Sequence, residues 1–228
     1  MVKYFVGVDL GQANDFTALA LLERKKENEE TVYHLRRLER IRNAPYPDIV
    51  DKVTALMSSP ALKNEAFLVV DGTGVGSPVV DLFRRAGLNP WAIMIHGGDR
   101  VVLEGRTYRV PKRDLVGVLQ VLLQNGRLKI SWKLKLAQVL SGEMLNFKVK
   151  IDPKTAHDSY SAWREQDHDD LLLATAMAAW MGERPQITAP RLGALPVPSQ
   201  AQLLHRAQAR VEMPRLNENP FDKFLPPH

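Results

Sequence analysis

The chain has 228 residues, 45% hydrophobic and 25% charged, with a net charge of +5 and a pI near 9.4, enough for one sizeable core and a tail, or two small domains at most. No apolar run approaches the roughly 20 residues of a membrane helix. The start, MVKYFVGVDLGQ, lacks the apolar centre of a secretory leader, and the absence of cysteine excludes disulfides and thiolate zinc sites. These features predict a cytoplasmic protein, with a mild basic excess that suits a polyanionic partner.

VKYFVGVDLG reads as the first strand, rich in β-branched and aromatic residues and broken by Gly11. A turn, GQAND, leads to a second strand, FTALALLERK. KKENEE reads as a hairpin tip, and TVYHLRRLERIR as a third strand. Strict alternation in that strand puts Val32, His34, Arg36 and Leu38 on one face and Tyr33, Leu35, Arg37 and Glu39 on the other. Its many charges predict a half-exposed edge.

Pro45 and Pro47 mark a break before a helix over YPDIVDKVTALMSS. EAFLVVD is short and almost wholly apolar, the pattern of a buried central strand. In GSPVVDLFRRAGL, Ser77 is a plausible N-cap, with Pro78 at the first helical position and Gly87 at the end. NPWAIMIHGG is a fifth strand, and DRVVLEGRTYRV fits either a hairpin or an irregular excursion. Pro111 starts a helix that Gly126 stops. LKLAQVLSGEMLNF is a further helix, KVKI a short strand, and DPKTAHDSYSAWREQDH a polar loop or short hairpin. The last helix runs from Asp169 to about Met181. The Pro-rich remainder, about 186–228, predicts a poorly ordered or docking tail behind a first domain of residues 1–185. The order of elements describes an α/β fold, a mixed sheet flanked by helices.

Asp9 ends the first strand where it opens to solvent, and Asp71 ends another apolar strand in FLVVDGTGVG. Such sites gather beyond the carboxyl ends of strands in open sheets. Asp169 and Asp170 open the apolar helix LLLATAMAAWM, although DHDD alone reads equally well as a helix cap. Several carboxylates in one pocket suit magnesium or manganese, two ions about 3.5–4 Å apart, with Asp9 the best candidate for the bridge. His168 and His157 are auxiliary candidates. Lys112, Arg113, Lys148, Lys150 and Lys154 are candidates for phosphate contacts, or else a solvated basic face. Trp132, Trp163 and Trp180 read as core or loop anchors. DGTGVG is neither a Walker A loop nor GxGxxG, and no GxSxG or HExxH is present.

FVGVDLG, FLVVDGTGVG, VPKRDLV and HDDLLLATAMAAW, in this order, together resemble the nuclease domain of the phage large terminase subunit. The resemblance spans residues 3–182 and implies an RNase H-like fold, similar also to Holliday-junction resolvases. It further implies an endonuclease that cuts concatemeric double-stranded DNA with two Mg2+ or Mn2+ ions. Carried over, Asp9, Asp71 and Asp170 are catalytic, and Asp169 joins them as a candidate metal ligand. Portal, small terminase subunit and an ATPase motor are the implied partners. The chain shows no Walker motif, so the expectation is an excised domain, a split gene product or a nuclease free of the motor. Alternatives are a junction resolvase, an actin-like ATPase fragment, or a non-catalytic packaging module that binds the portal.

Overall fold

The structure, a computed structural model, describes residues 3–11, 15–74, 76–150 and 168–184, without the side chains of 76, 77 and 148–150. All of these lie in one compact unit of the chain. The predicted tail, the loop from 151 to 167 and the candidates His157, Lys154 and Trp163 lie outside the described residues.

Strand β1 (Tyr4–Asp9) pairs antiparallel with β2 (Thr17–Glu27), and β2 antiparallel with β3 (Glu30–Ile41). The β2–β3 link is the two residues Asn28 and Glu29, both at positive φ (48° and 68°), as a type I′ hairpin requires. Helix α1 (Tyr46–Met57) then leads to β4 (Ala66–Asp71), which pairs parallel with β1. Helix α2 (Gly76–Arg85) crosses to β5 (Trp91–His96), parallel to β4. The segment left undecided by the sequence is a hairpin, β6 (Val102–Glu104) with β7 (Thr107–Pro111), and β7 runs parallel to β5. Helices α3 (Lys112–Gln124), α4 (Ala137–Lys150) and α5 (Asp170–Gly182) complete the described elements, with β8 (Leu128–Ile130) between the first two. The eight strands form one mixed sheet in the order β6-β7-β5-β4-β1-β2-β3-β8.

Three local expectations are corrected, and one strand is added. KVKI is no strand: Lys148–Lys150 continue α4, because no proline or glycine follows Gly142 within the helix and propagation is cheap once a helix is nucleated. β8 was hidden behind the helix stop at Gly126, being only three residues long. Helix α2 already begins at Gly76, so Ser77 lies in its first turn. Trp132 is 81% exposed, whereas Trp180 is buried.

The alternation expected for β3 also fails. Leu22 pairs with Leu35 but Leu21 with Arg37, so Arg36 is an extra residue, a β-bulge. Tyr33, Leu35 and Leu38 consequently share one core. β8 covers β3 only from Tyr33 to Leu35. The predicted edge character therefore belongs to the second half of the strand.

Each face of the sheet is covered. On one, Ile49, Val50 and Val53 of α1 and Val79 and Phe83 of α2 pack on Val6, Val8, Leu19 and Val70. On the other, α3, α4 and α5 pack on Phe5, Ala18, Ala20 and Val69. Helix α5 is buried on all sides, as a helix apolar around its whole circumference must be. Its closeness to the sheet depends on Gly7. A Cβ there would lie 1.9 Å from the Ala174 carbonyl oxygen, so only glycine lets helix backbone rest on strand backbone. None of the described helices is long and apolar enough to cross a membrane.

Candidate metal centre

Register places the acids. Side chains alternate along a strand, so Asp9 projects from the same face of β1 as Phe5 and Gly7, the face that carries α5. Asp71 follows Val69 on the same face of β4. The β1–β4 ladder ends at Val8 and Val70, and Asp9 and Asp71 are the next residues along it. Gly7 touches α5 at Ala174, one turn beyond Asp170, so the helix start lies over the end of β1.

Asp71, Asp169 and Asp170 all act electrostatically on Asp9. Burial is the first cause that pushes the Asp9 carboxyl well above the usual range. The charges of Asp71, Asp169 and Asp170 push it further, and Asp71 lies within hydrogen-bonding reach. The Asp71 carboxylate also accepts the Thr73 N–H at 2.7 Å, which fixes the turn after β4. Thr73 Oγ1 in turn accepts the Ile95 N–H at 2.7 Å and ties that turn to β5.

Asp169 occupies the N-cap position of α5 but makes no side-chain cap hydrogen bond. Its carboxylate accepts instead from Lys112 Nζ at 2.9 Å. Asp170 is buried and takes a two-pronged contact from Arg40: Nε donates to Oδ2 at 2.7 Å and a terminal nitrogen to Oδ1 at 2.6 Å. The same nitrogen of Arg40 also donates to Glu143 on α4. The second oxygen of Glu143 accepts the Leu172 N–H at 2.8 Å. Glu143 thus supplies the cap of α5 that Asp169 does not. Burial raises the Glu143 carboxyl to about 8. The Leu172 N–H and Arg40 pull it down, while Asp170 and Asp169 push it up.

Arg40 and Glu143 escaped the sequence reading. Arg40 reaches the site through register: Asp9 pairs with Ala18 and Ala18 with Arg40, so all three stand in one row across β1, β2 and β3. The Phe16 ring lies beneath two guanidinium groups, Arg40 at 4.9 Å and Arg42 at 5.2 Å. His168 is exposed and packs its ring edge-on against Phe16 at 5.3 Å. Arg113 is taken up with Asp99 at 2.8 Å and lies away from the four acids in its contacts. The side chains of Lys148 and Lys150 lie outside the described residues.

The donor set is oxygen-rich and short of positive charge, which fits a hard divalent cation. In the arrangement seen, Arg40 and Lys112 occupy two of the four carboxylates. In this arrangement, no group of three or more acidic or histidine side chains among the described residues is placed to hold a metal ion.

Three solved structures align with the chain at low identity. The large terminase nuclease from thermophilic phage G20c aligns with a TM-score of 0.52 at 18% identity, over 77% of this chain and 80% of its own. The human cytomegalovirus terminase nuclease domain, in a manganese-soaked and inhibitor-bound structure, aligns at 0.46 and 15% identity, over 78% and 83%. Thermus thermophilus RuvC aligns at 0.32 and 14% identity, over 84% and 97%. A search of curated proteins finds no match. The terminase RNaseH-like domain family matches residues 6–181, from within β1 to the last turn of α5, and so takes in part or all of every strand and all four acids. On the strength of that match, the chain belongs to the terminase RNaseH-like domain family.

Proposed function

We propose that this domain is a divalent-metal-dependent DNA endonuclease that cuts double-stranded viral DNA during packaging. The observation that carries the reading is geometric: Asp9 and Asp71 follow the last paired residues of the neighbouring parallel strands β1 and β4, and the start of α5, with Asp169 and Asp170, lies over the end of β1. A pocket of that kind is unfavourable for folding alone and is most often found where a cation or a proton transfer needs it.

Asp9, Asp71 and Asp170 are the proposed ligands, with Asp169 beside them. Two magnesium or manganese ions bound there would supply an activated water and would stabilise the charge on the phosphodiester and its leaving oxygen. The remaining work falls to the chain itself. β1 and β4 hold two carboxylates on rigid neighbouring strands. Helix α5 brings the third, fixed by the Glu143 cap and by backbone contact at Gly7. Lys112 and Arg40 balance part of the negative charge. On this reading the partners are the ATPase motor, the small terminase subunit and the portal, with catalysis in the host cytoplasm.

The test is plasmid cleavage by the purified chain with MnCl2, with excess chelator, and with Asp9→Ala. Cleavage that needs metal and disappears in a folded Asp9→Ala protein is expected. Undiminished cutting by that variant, or none by the wild type in Mn2+ or Mg2+, would overturn the assignment.

A further inference from the structure

Arg40 on β3 reaches across to the carboxylate at the start of α5. Its guanidinium spends two donors on the two oxygens of Asp170, at 2.7 and 2.6 Å, so neither oxygen is left unengaged. The Arg40 side chain is only 16% exposed, and those of Asp170 and Glu143 are buried further. Five acids, Asp9, Asp71, Asp169, Asp170 and Glu143, are linked here by contact or by field; Arg40 is bonded to Asp170 and Glu143, and Lys112 to Asp169. Glu143 is itself fixed, because its other oxygen caps α5 through the Leu172 N–H. The face of Phe16 supports the guanidinium from a further side.

We propose that Arg40, retained by Glu143, is a resident counter-ion that holds the acid cluster together without metal and competes with the divalent cation for Asp170. This rests on the metal-site reading above and adds a positioning residue to it. A cation entering the cluster displaces the guanidinium from Asp170. Glu143 keeps it nearby, so the displacement is reversible. Metal affinity is then set below what the acids alone would give, and the empty site is spared the full repulsion of its carboxylates. Giving up charge-assisted hydrogen bonds to a buried carboxylate is worth about tenfold or more in cation affinity.

Isothermal titration with MnCl2 at constant ionic strength tests this in wild type, Arg40→Gln and Arg40→Lys, alongside urea unfolding with and without Mn2+. Arg40→Gln is expected to bind Mn2+ about tenfold more tightly. Metal-free, it should be less stable than wild type, and saturating Mn2+ should close that gap. Arg40→Lys keeps the charge but not the two-pronged geometry, and its affinity should fall between the two. If Arg40→Gln fails to fold without metal, Arg40→Lys carries the comparison. A folded variant that binds Mn2+ no more tightly than wild type refutes the counter-ion role and leaves the metal site standing. A wild type that takes up no Mn2+ refutes both.

Discussion

Replacing Gly7 by alanine is the smallest change that should move the third acid of the site. The added Cβ would lie 1.9 Å from the Ala174 carbonyl oxygen, 2.9 Å from its carbon and 3.2 Å from Ala178 Cβ. Real Cβ atoms stay beyond 3.0 Å, so strand and helix must part by at least about 1.1 Å, the difference between 3.0 and 1.9. β1 is hydrogen-bonded on both sides, to β2 and β4, so α5 is the element that yields. Overpacking of this kind costs about 1–3 kcal/mol, and contact with backbone places it at the upper end. A misplacement of about 1 Å at a reacting centre costs about a hundredfold in rate. Asp170 lies one turn before Ala174 and moves with it. The expected result is a loss of about 3 kcal/mol in urea unfolding and about a hundredfold slower Mn2+-dependent cleavage at a temperature where the variant is fully folded. Gly182→Ala is the control. Its Cβ would meet the Tyr33 ring at 2.6 Å, at the other end of α5, about 18 Å from Asp170 at 1.5 Å per residue. It should lower stability and leave the rate within about threefold, since only misplacement at the acids is costly. Gly7→Ala with wild-type rate and stability would refute the account of how α5 is positioned.

Saturating metal should stabilise the protein. At a hundredfold excess of Mn2+ over its Kd, about 2.7 kcal/mol is expected, measured by urea unfolding, and Asp9→Ala should lose that increment. Glu23 gives a pH effect remote from the site. Burial raises its carboxyl, but hydrogen bonds from Arg36 and Lys3 outweigh this and leave it below the ordinary 4.5. Its stabilisation is therefore complete above the unfolded value and fades as pH falls through the lower folded one. The partner side chains are 41–46% exposed, so Glu23→Gln should cost no more than about 1 kcal/mol at pH 7. Unfolding curves of the two proteins should converge at acid pH.

Asp9 and Asp71 could be read from the chain because each ends an apolar run that only a buried strand explains. Asp169 and Asp170 were equally visible, but their sequence could not separate a cap from a ligand. Glu143 takes the cap's hydrogen bond from outside α5, so Asp169 is not the cap, and nothing in SGEML distinguishes Glu143 from a solvated glutamate. Arg40 was hidden for a sharper reason. Counting back from the Asn28-Glu29 turn without interruption pairs Ala18 with Glu39. The bulge at Arg36 shifts the ladder by one and pairs Ala18 with Arg40 instead. One additional residue decides whether a base or another acid stands in the row of Asp9, and RRLERIR carries no glycine or proline to announce it. KVKI failed because local strand preference yields to a helix already under way.

The elements that hold the four acids are far apart in the chain: β1 is the first described element and α5 the last. A ribosome therefore releases Asp9 more than a hundred and fifty residues before Asp170, and α5 is also the central beam of the larger core. No shortened or half-made product can have a finished pocket without having a finished interior. Assembly of the protein is thereby its own safety catch, and the acid pocket exists only in molecules whose folding is complete.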